Sequence, residues 1–237
     1  MIVALIINKS TMKIYLKLII KYFVGFLKLR SVEAIQTFPI LKTKKLKTLW
    51  KSDVKKTKID IWNYIIIFFE GQNIDFFEFG VSGGDSIRYF SKKLENNNNT
   101  FVGFDSFFGL PDTYDHPALS KGGFSRNGNI PNLDDRRVKF VKGFFNQNKD
   151  EIKKELNRSS NTKLVHFDAD IYSSTLYILF QLDDHTPYYA LFDEFGGDEV
   201  RALYSYLIST DKEVEIFSTT FDDKFHIIPR ETFMKIY

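Results

Sequence analysis

Acidic side chains recur at the ends of short apolar runs in the second half of the chain. Thr100–Asp105 (TFVGFD) ends on Asp105, Lys163–Asp168 (KLVHFD) on Asp168 with Asp170 close behind, and Tyr188–Asp193 (YYALFD) on Asp193, with Glu194 next. Carboxylates gathered in one place repel each other unless they are protonated or neutralised by a cation. Oxygen donors in a chain without cysteine suit a hard ion, Mg²⁺ first and Ca²⁺ or Mn²⁺ next. The competing role is helix capping, which aspartate often takes. Capping weighs evenly for Asp170, which precedes Tyr172-Ser173-Ser174-Thr175, and less for Asp168 and Asp193.

A second constellation lies earlier, at Glu78-Phe79-Gly80-Val81-Ser82-Gly83-Gly84-Asp85-Ser86. Glycine after an apolar run lets the backbone approach a ligand and adopt positive φ. A helix starting near Gly84 would aim free N–H groups at a carboxylate or phosphate. The spacing G-x-x-G-G differs from the dinucleotide fingerprint, and no P-loop lysine follows. A tight strand–helix turn also needs glycine for structural reasons alone. Together with Asp105, which can accept both ribose hydroxyls, the turn points to an adenosine-containing ligand without a required phosphate. Among the histidines, His166 reads as a core residue inside a strand. His116, in a long loop near Asp112 and Asp115, could serve as a base or be a solvated loop residue, and His185 and His226 have no supporting context.

The elements that must position these groups alternate. Ile59–Glu70 is expected as a helix, Ile74–Val81 as a strand, Gly84–Leu94 as a helix and Thr100–Asp105 as a strand. A Gly-, Pro-, Asp- and Asn-rich loop runs from Ser106 to Asp135. Strands at Arg137–Lys142, Lys163–Asp168 and Tyr188–Asp193 alternate with helices ending near Arg158, at Tyr172–Leu182 and at Asp198–Ser209. Strands at Glu213–Thr219 and Phe225–Pro229, joined by a turn at Asp222-Asp223, close the chain. This alternation predicts an α/β fold, doubly wound. Its mainly parallel seven-stranded sheet carries helices on both faces and a C-terminal antiparallel hairpin strand. Ligands of such sheets bind outside the carboxyl ends of the strands, where the acidic residues gather.

The 237 residues are 43% hydrophobic, enough for one packed domain plus an appendage. The net charge is only +3, with the basic residues concentrated before residue 60. No basic stripe accompanies the candidate site, which argues against a nucleic-acid partner. Lysines 9, 13, 17, 21 and 28 interrupt the apolar residues of 2–29, so no run reaches the roughly 18 residues of a membrane span. This segment reads as a basic amphipathic helix that packs on the domain or a partner subunit, or lies on an anionic membrane surface. The lysine-rich stretch 42–58 reads as a solvated linker or exposed helix. The division expected is therefore an N-terminal segment and linker at 1–57 and a ligand-binding domain at 58–237. Absence of cysteine and of a signal-peptide pattern fits a cytoplasmic protein, with peripheral contact at the inner membrane surface open through residues 2–29. A homo-oligomer is equally open.

Four stretches together resemble the macrocin O-methyltransferase family of class I, Rossmann-like methyltransferases. They are Glu78–Ser86, Gly103-Phe104-Asp105-Ser106-Phe107-Phe108-Gly109-Leu110-Pro111, His166-Phe167-Asp168-Ala169-Asp170-Ile171-Tyr172-Ser173-Ser174-Thr175, and Phe192-Asp193-Glu194-Phe195-Gly196. The resemblance covers about residues 60 to 220. It implies a cofactor, S-adenosylmethionine, held by Glu78, Gly80 and the residues Ser82, Gly83, Gly84 and Ser86. It also implies that Asp105 takes the ribose hydroxyls, with Ser106 and Phe144 near the adenine. Asp168, Asp193 and Glu194 match the family's Mg²⁺ positions, although Asp is commoner than Glu at the last. Asp168 would then act at the reaction centre, and the loop around Pro111–Arg126 would form a lid over a sugar, glycan or related small-molecule acceptor. Two rival readings are a nucleotide enzyme of the NAD type on the same architecture and a non-catalytic membrane-associated scaffold.

Overall fold

In the computed structural model, residues 37, 39–111, 121–221 and 228–237 are described. The expected helix at 2–29, His116, His226 and the turn at Asp222-Asp223 lie outside them. Eight strands form one sheet: β1 (Asp53–Lys55), β2 (Ile74–Phe79), β3 (Thr100–Asp105), β4 (Val138–Lys142), β5 (Thr162–Phe167), β6 (Tyr188–Phe192), β7 (Val214–Phe221) and β8 (Pro229–Ile236). Their order is β1-β7-β8-β6-β5-β2-β3-β4. Every neighbouring pair is parallel except the two made by β8, which is antiparallel to β6 and β7. Five helices, α1 (Lys58–Phe68), α2 (Asp85–Lys93), α3 (Lys149–Leu156), α4 (Tyr172–Gln181) and α5 (Asp198–Ser209), provide the crossovers.

Two expectations about the edges are corrected. The sheet has an eighth strand, because Asp53–Lys55 pairs with Ser218–Thr220 and covers the edge that β7 would otherwise expose. The stretch 42–58 is therefore not a solvated linker. Leu46 and Leu49 are fully buried, Thr48 Oγ1 accepts from the Ile216 N–H at 3.0 Å, and Lys45 Nζ donates to the Lys212 carbonyl at 3.0 Å. Lys42, Lys44, Lys47, Lys51 and Lys56 are exposed and hide the leucine spacing from a composition-based reading. The last strand runs over Pro229–Ile236 rather than Phe225–Pro229. Its buried Phe233, Met234 and Ile236 need the full length of β6 and β7 as partners.

Strand alternation sorts the core into two layers. Phe77 and Phe79, Val165 and Phe167, and Ala190 and Phe192 face α3, α4 and α5. Ile74 and Phe76, Leu164 and Leu191 face α1 and α2. The last aromatic of each strand stacks on its neighbour, Phe79 on Phe104 at 4.9 Å and Phe167 on Phe192 at 4.5 Å. Such pairs contribute about 0.5–1.5 kcal/mol beyond area burial. They form a rigid layer directly beneath the carboxyl ends of the strands, where position matters most. No helix among the described residues is long and apolar enough to cross a membrane.

Candidate functional site

The same alternation that fixes the core fixes the site. Glu78, His166 and Asp193 continue the rows Ile74–Phe76, Leu164 and Leu191, so all three point to the α1 and α2 side. Glu78 and His166 are directly paired in register on β2 and β5. Both are fully buried, and His166 Nδ1 lies 2.8 Å from Glu78 Oε1. Ser86 donates its hydroxyl to the same Glu78 oxygen. His166 Nε2 has no hydrogen-bond partner and faces Asp193 Oδ1 at 3.8 Å. The core position expected for His166 is correct, but its chemistry is not inert, because a buried imidazole between two carboxylates draws a proton. Burial alone would lower its pKa. Asp193 and Glu78 outweigh burial and hold it up at about 10.

Charge balance at this end comes from α1. Thr57 and Asp60 form a capping box: Thr57 Oγ1 accepts from the Asp60 N–H at 3.2 Å, and the Thr57 N–H donates to Asp60 Oδ2 at 3.0 Å. The box starts the helix at Lys58, whose ammonium is ion-paired with Asp193 Oδ1. Burial would raise the Asp193 pKa, but His166 and Lys58 overcome it and bring the carboxyl down to about 2. Burial, followed by the Asp193 charge, pushes Asp168 well above the usual carboxylate range. Asp170 is pushed up to about 7 by burial and then by Glu194 and Asp193. Glu199, fully buried, rises for the same first reason, and its Oε2 accepts from the Glu194 N–H at 3.0 Å.

Asp105 is held differently. Its carboxylate accepts from the backbone N–H groups of Val81 at 2.7 Å, Ser82 at 2.8 Å and Phe107 at 2.6 Å. Three of roughly four acceptor positions are filled. The Gly-rich turn is thereby tied to the end of β3. Gly80 (φ +95°) is required by close packing: a Cβ there would meet the Asp168 carbonyl oxygen at 1.8 Å. Next to Gly83, a Cβ would meet the Arg126 guanidinium at 2.5 Å, and Arg126 Nε also donates to Ser82 Oγ at 3.1 Å. Glycine here serves protein packing as much as ligand approach.

A cavity of about 520 Å³ opens between these two ends, within the usual size of a small-molecule site. Of the expected residues, Gly80, Ser82, Asp105, Ser106, Phe144, Asp168, Asp193 and Glu194 line it. Glu78, Gly83, Gly84 and Ser86 do not; Glu78 and Ser86 form the buried support just described. Ser106 is committed to its own loop, donating to the Gly109 carbonyl at 2.9 Å and accepting from the Phe108 N–H at 3.0 Å. Leu110, Pro111 and Phe144 supply an apolar wall. Part of the long loop forms the rim. Leu110 N–H donates to the Gly123 carbonyl at 3.1 Å and Gly122 N–H to the Leu110 carbonyl at 3.0 Å, which brings exposed Phe124 to the cavity.

Several contributors were not expected. Ser173, Ser174 and Tyr177 of α4 line the cavity. Asp170, for which site and cap weighed evenly, also lines the cavity and does not cap α4, since the Tyr172 N–H is taken by Asp198 Oδ2 at 3.1 Å. Its positive φ of 59° sets it apart from regular backbone. His166 could have been found from its i, i+2 relation to Asp168, and Lys58 from the T-x-x-D box. Nothing local marks Ser173 or Tyr177 as cavity residues.

The carboxyl groups of Asp168 and Asp193 offer oxygen donors that fit a hard divalent cation. The third group within reach is His166, all three ligand atoms lying within 4.8 Å of one another. Glu194, the third ligand implied by resemblance, is half-exposed and bonded to Arg230 at 2.9 Å. The fit to Mg²⁺ therefore extends to the aspartate pair and not, as placed, to Glu194.

No protein-family model matches the chain, and no curated protein does. Solved structures do. The O-methyltransferase NovP is 18% identical over 75% of this chain and 78% of that chain, with a TM-score of 0.51. CalS11, a TDP-rhamnose 3'-O-methyltransferase of calicheamicin biosynthesis, is 18% identical over 87% of this chain and 86% of its own, with a TM-score of 0.48. An O-methyltransferase from Bacillus cereus in complex with SAH is 10% identical over 91% and 95%, with a TM-score of 0.47. At these identities the likeness establishes the fold: the chain has the Rossmann-like architecture on which the O-methyltransferase NovP is built.

Proposed function

We propose that the protein is an S-adenosylmethionine-dependent O-methyltransferase acting on a hydroxyl of a sugar, glycan or related small molecule, and not on nucleic acid. One observation carries this reading. A single cavity is bounded on one side by Gly80, Ser82 and Asp105 beside an apolar wall, and on the other by Asp168, Asp170 and Asp193. The first side suits an adenosine-containing ligand, and the second a hydroxyl-bearing acceptor. The O-methyltransferase NovP, which shares the fold, supports the reaction class.

When bound, the cofactor supplies a sulfonium methyl group and its own leaving group. The chain aligns the acceptor against it and excludes water. Asp105 retains acceptor capacity for a ribose hydroxyl, and Phe144 with Leu110 offers a face for a base. Asp168 lines the acceptor side of the cavity, and in its ionised form it would be the group to take the acceptor's proton. Asp168 and Asp193 would hold Mg²⁺, whose chemistry is to polarise the acceptor oxygen. Ser173, Ser174 and Tyr177 provide hydroxyls for recognising a polyol. Titration calorimetry tests the reading: S-adenosylhomocysteine should bind and NAD should not. Binding of NAD alone, or of neither, refutes it. Activity that survives EDTA refutes the Mg²⁺ part only.

A further inference from the structure

A buried acidic pair needs a counter-charge, and here part of it comes from the first residue of a helix. A cation at a helix N-terminus is opposed by the macrodipole, so α1 itself gives no reason for a lysine at position 58. The ion pair with Asp193 does. The Lys58 ammonium lies 5.3 Å from the Trp62 ring centroid, which guides it inward. Its side chain is 37% exposed, against 16% for Asp193. A long, flexible, partly exposed stem can withdraw its head into water without any backbone change. The same carboxylate oxygen is faced by the fully buried His166 Nε2, which has no hydrogen-bond partner and lies 3.8 Å from Asp193 Oδ1. A divalent cation held by the pair would share the Asp193 carboxylate with Lys58, and like charges that close repel strongly in a poorly solvated place.

We propose that Lys58 is a displaceable internal counter-ion of the Asp168–Asp193 pair, occupying the place of a divalent cation in the metal-free protein and setting the metal affinity of the site. This rests on the reading of Asp168 and Asp193 as a cation-binding pair, and it is independent of which group the enzyme transfers. Lys58 and the metal are alternative occupants. The carboxylates stay compensated in either state, so the site neither collapses nor repels itself apart when the metal leaves.

Titration of the full chain with Mn²⁺, read by electron paramagnetic resonance, tests this. Lys58→Gln should bind Mn²⁺ at least about tenfold more tightly than the unaltered protein, and Lys58→Arg, which keeps the charge, should not. Equal affinity in the unaltered protein and Lys58→Gln overturns the proposal, and so does the absence of Mn²⁺ binding to either at millimolar concentration. S-adenosylhomocysteine binding to the same samples reports separately on the methyl-transfer reading. A measurement on the unaltered protein covers the case in which Lys58→Gln fails to fold. Mg²⁺ should speed acylation of Lys58, followed by peptide mass, relative to the other lysines. An unchanged rate at millimolar Mg²⁺ overturns the proposal.

Discussion

Two carboxylates at the same edge of one sheet are stabilised by opposite means. Asp105, at the end of β3, is held by three backbone N–H groups from the adjoining turn and its own loop. Asp193, just after β6, is held by the charges of Lys58 and His166, which lie far away in sequence. Backbone dipoles organise without net charge, so the Asp105 end keeps one shape. Full charges in a buried place are high-stakes, because removing one leaves the others uncompensated. The Asp193 end is therefore the one whose occupancy depends on protons and cations.

The largest disruption should come where the two ends touch. Gly80→Ala would drive a methyl group into the Asp168 carbonyl at a positive φ that alanine resists. A loss on the order of 5 kcal/mol, seen in urea denaturation, is expected; a loss under about 1 kcal/mol would mean that the two ends are not in contact. Next, His166→Ala leaves Glu78 buried beside only the Ser86 hydroxyl and should cost about 3–5 kcal/mol in the same assay. The corresponding change at the other end, Asp105→Asn, removes charge-assisted acceptance from three amides. It should cost about 1.5–3 kcal/mol and weaken S-adenosylhomocysteine binding in calorimetry. If Asp105→Asn proves costlier than His166→Ala, the contrast between the two ends is wrong.

The pH response sharpens the contrast further. The folded-state pKa of His166, about 10, lies above its unfolded value of 6.5. Its contribution is therefore complete below pH 6.5 and is lost as pH rises through 10. Asp170, raised from 3.8 to about 7, adds stability below 3.8 that is lost as pH rises through 7. Asp193, lowered to about 2, works the other way and loses its contribution only as pH falls from 3.8 through 2. The metal-free protein should lose Tm steadily between pH 7 and 10, and His166→Gln should remove most of that slope. A flat profile would show that His166 is neutral and that Lys58 alone balances Asp193.

Much of the architecture was legible because it is written in local patterns. Apolar runs of strand length, alternating with amphipathic stretches, placed β2, β3, β5 and β6 and their helices within a residue or two. Asp198–Ser209 and Thr100–Asp105 match to the residue. The edge strands were harder. β1 is three residues long in a lysine-rich stretch, and β8 becomes a strand only because β6 and β7 flank it. Within the site, Asp105, Asp168 and Asp193 were visible as strand-end acids. Their partners were not, since Lys58 and Asp193 are joined by nothing shorter than the whole sheet.

The sequence by itself determined which carboxylates gather at the sheet edge, because strand periodicity and strand ends are properties of short segments. Only the tertiary structure decided how each is neutralised. It put Glu194 on Arg230, the Asp168 carbonyl against Gly80, and both Lys58 and His166 at Asp193 Oδ1. Coulombic and packing energies depend on distance in space, and the fold sets that distance between residues that the sequence keeps tens of positions apart, and in the case of Lys58 and Asp193 more than a hundred.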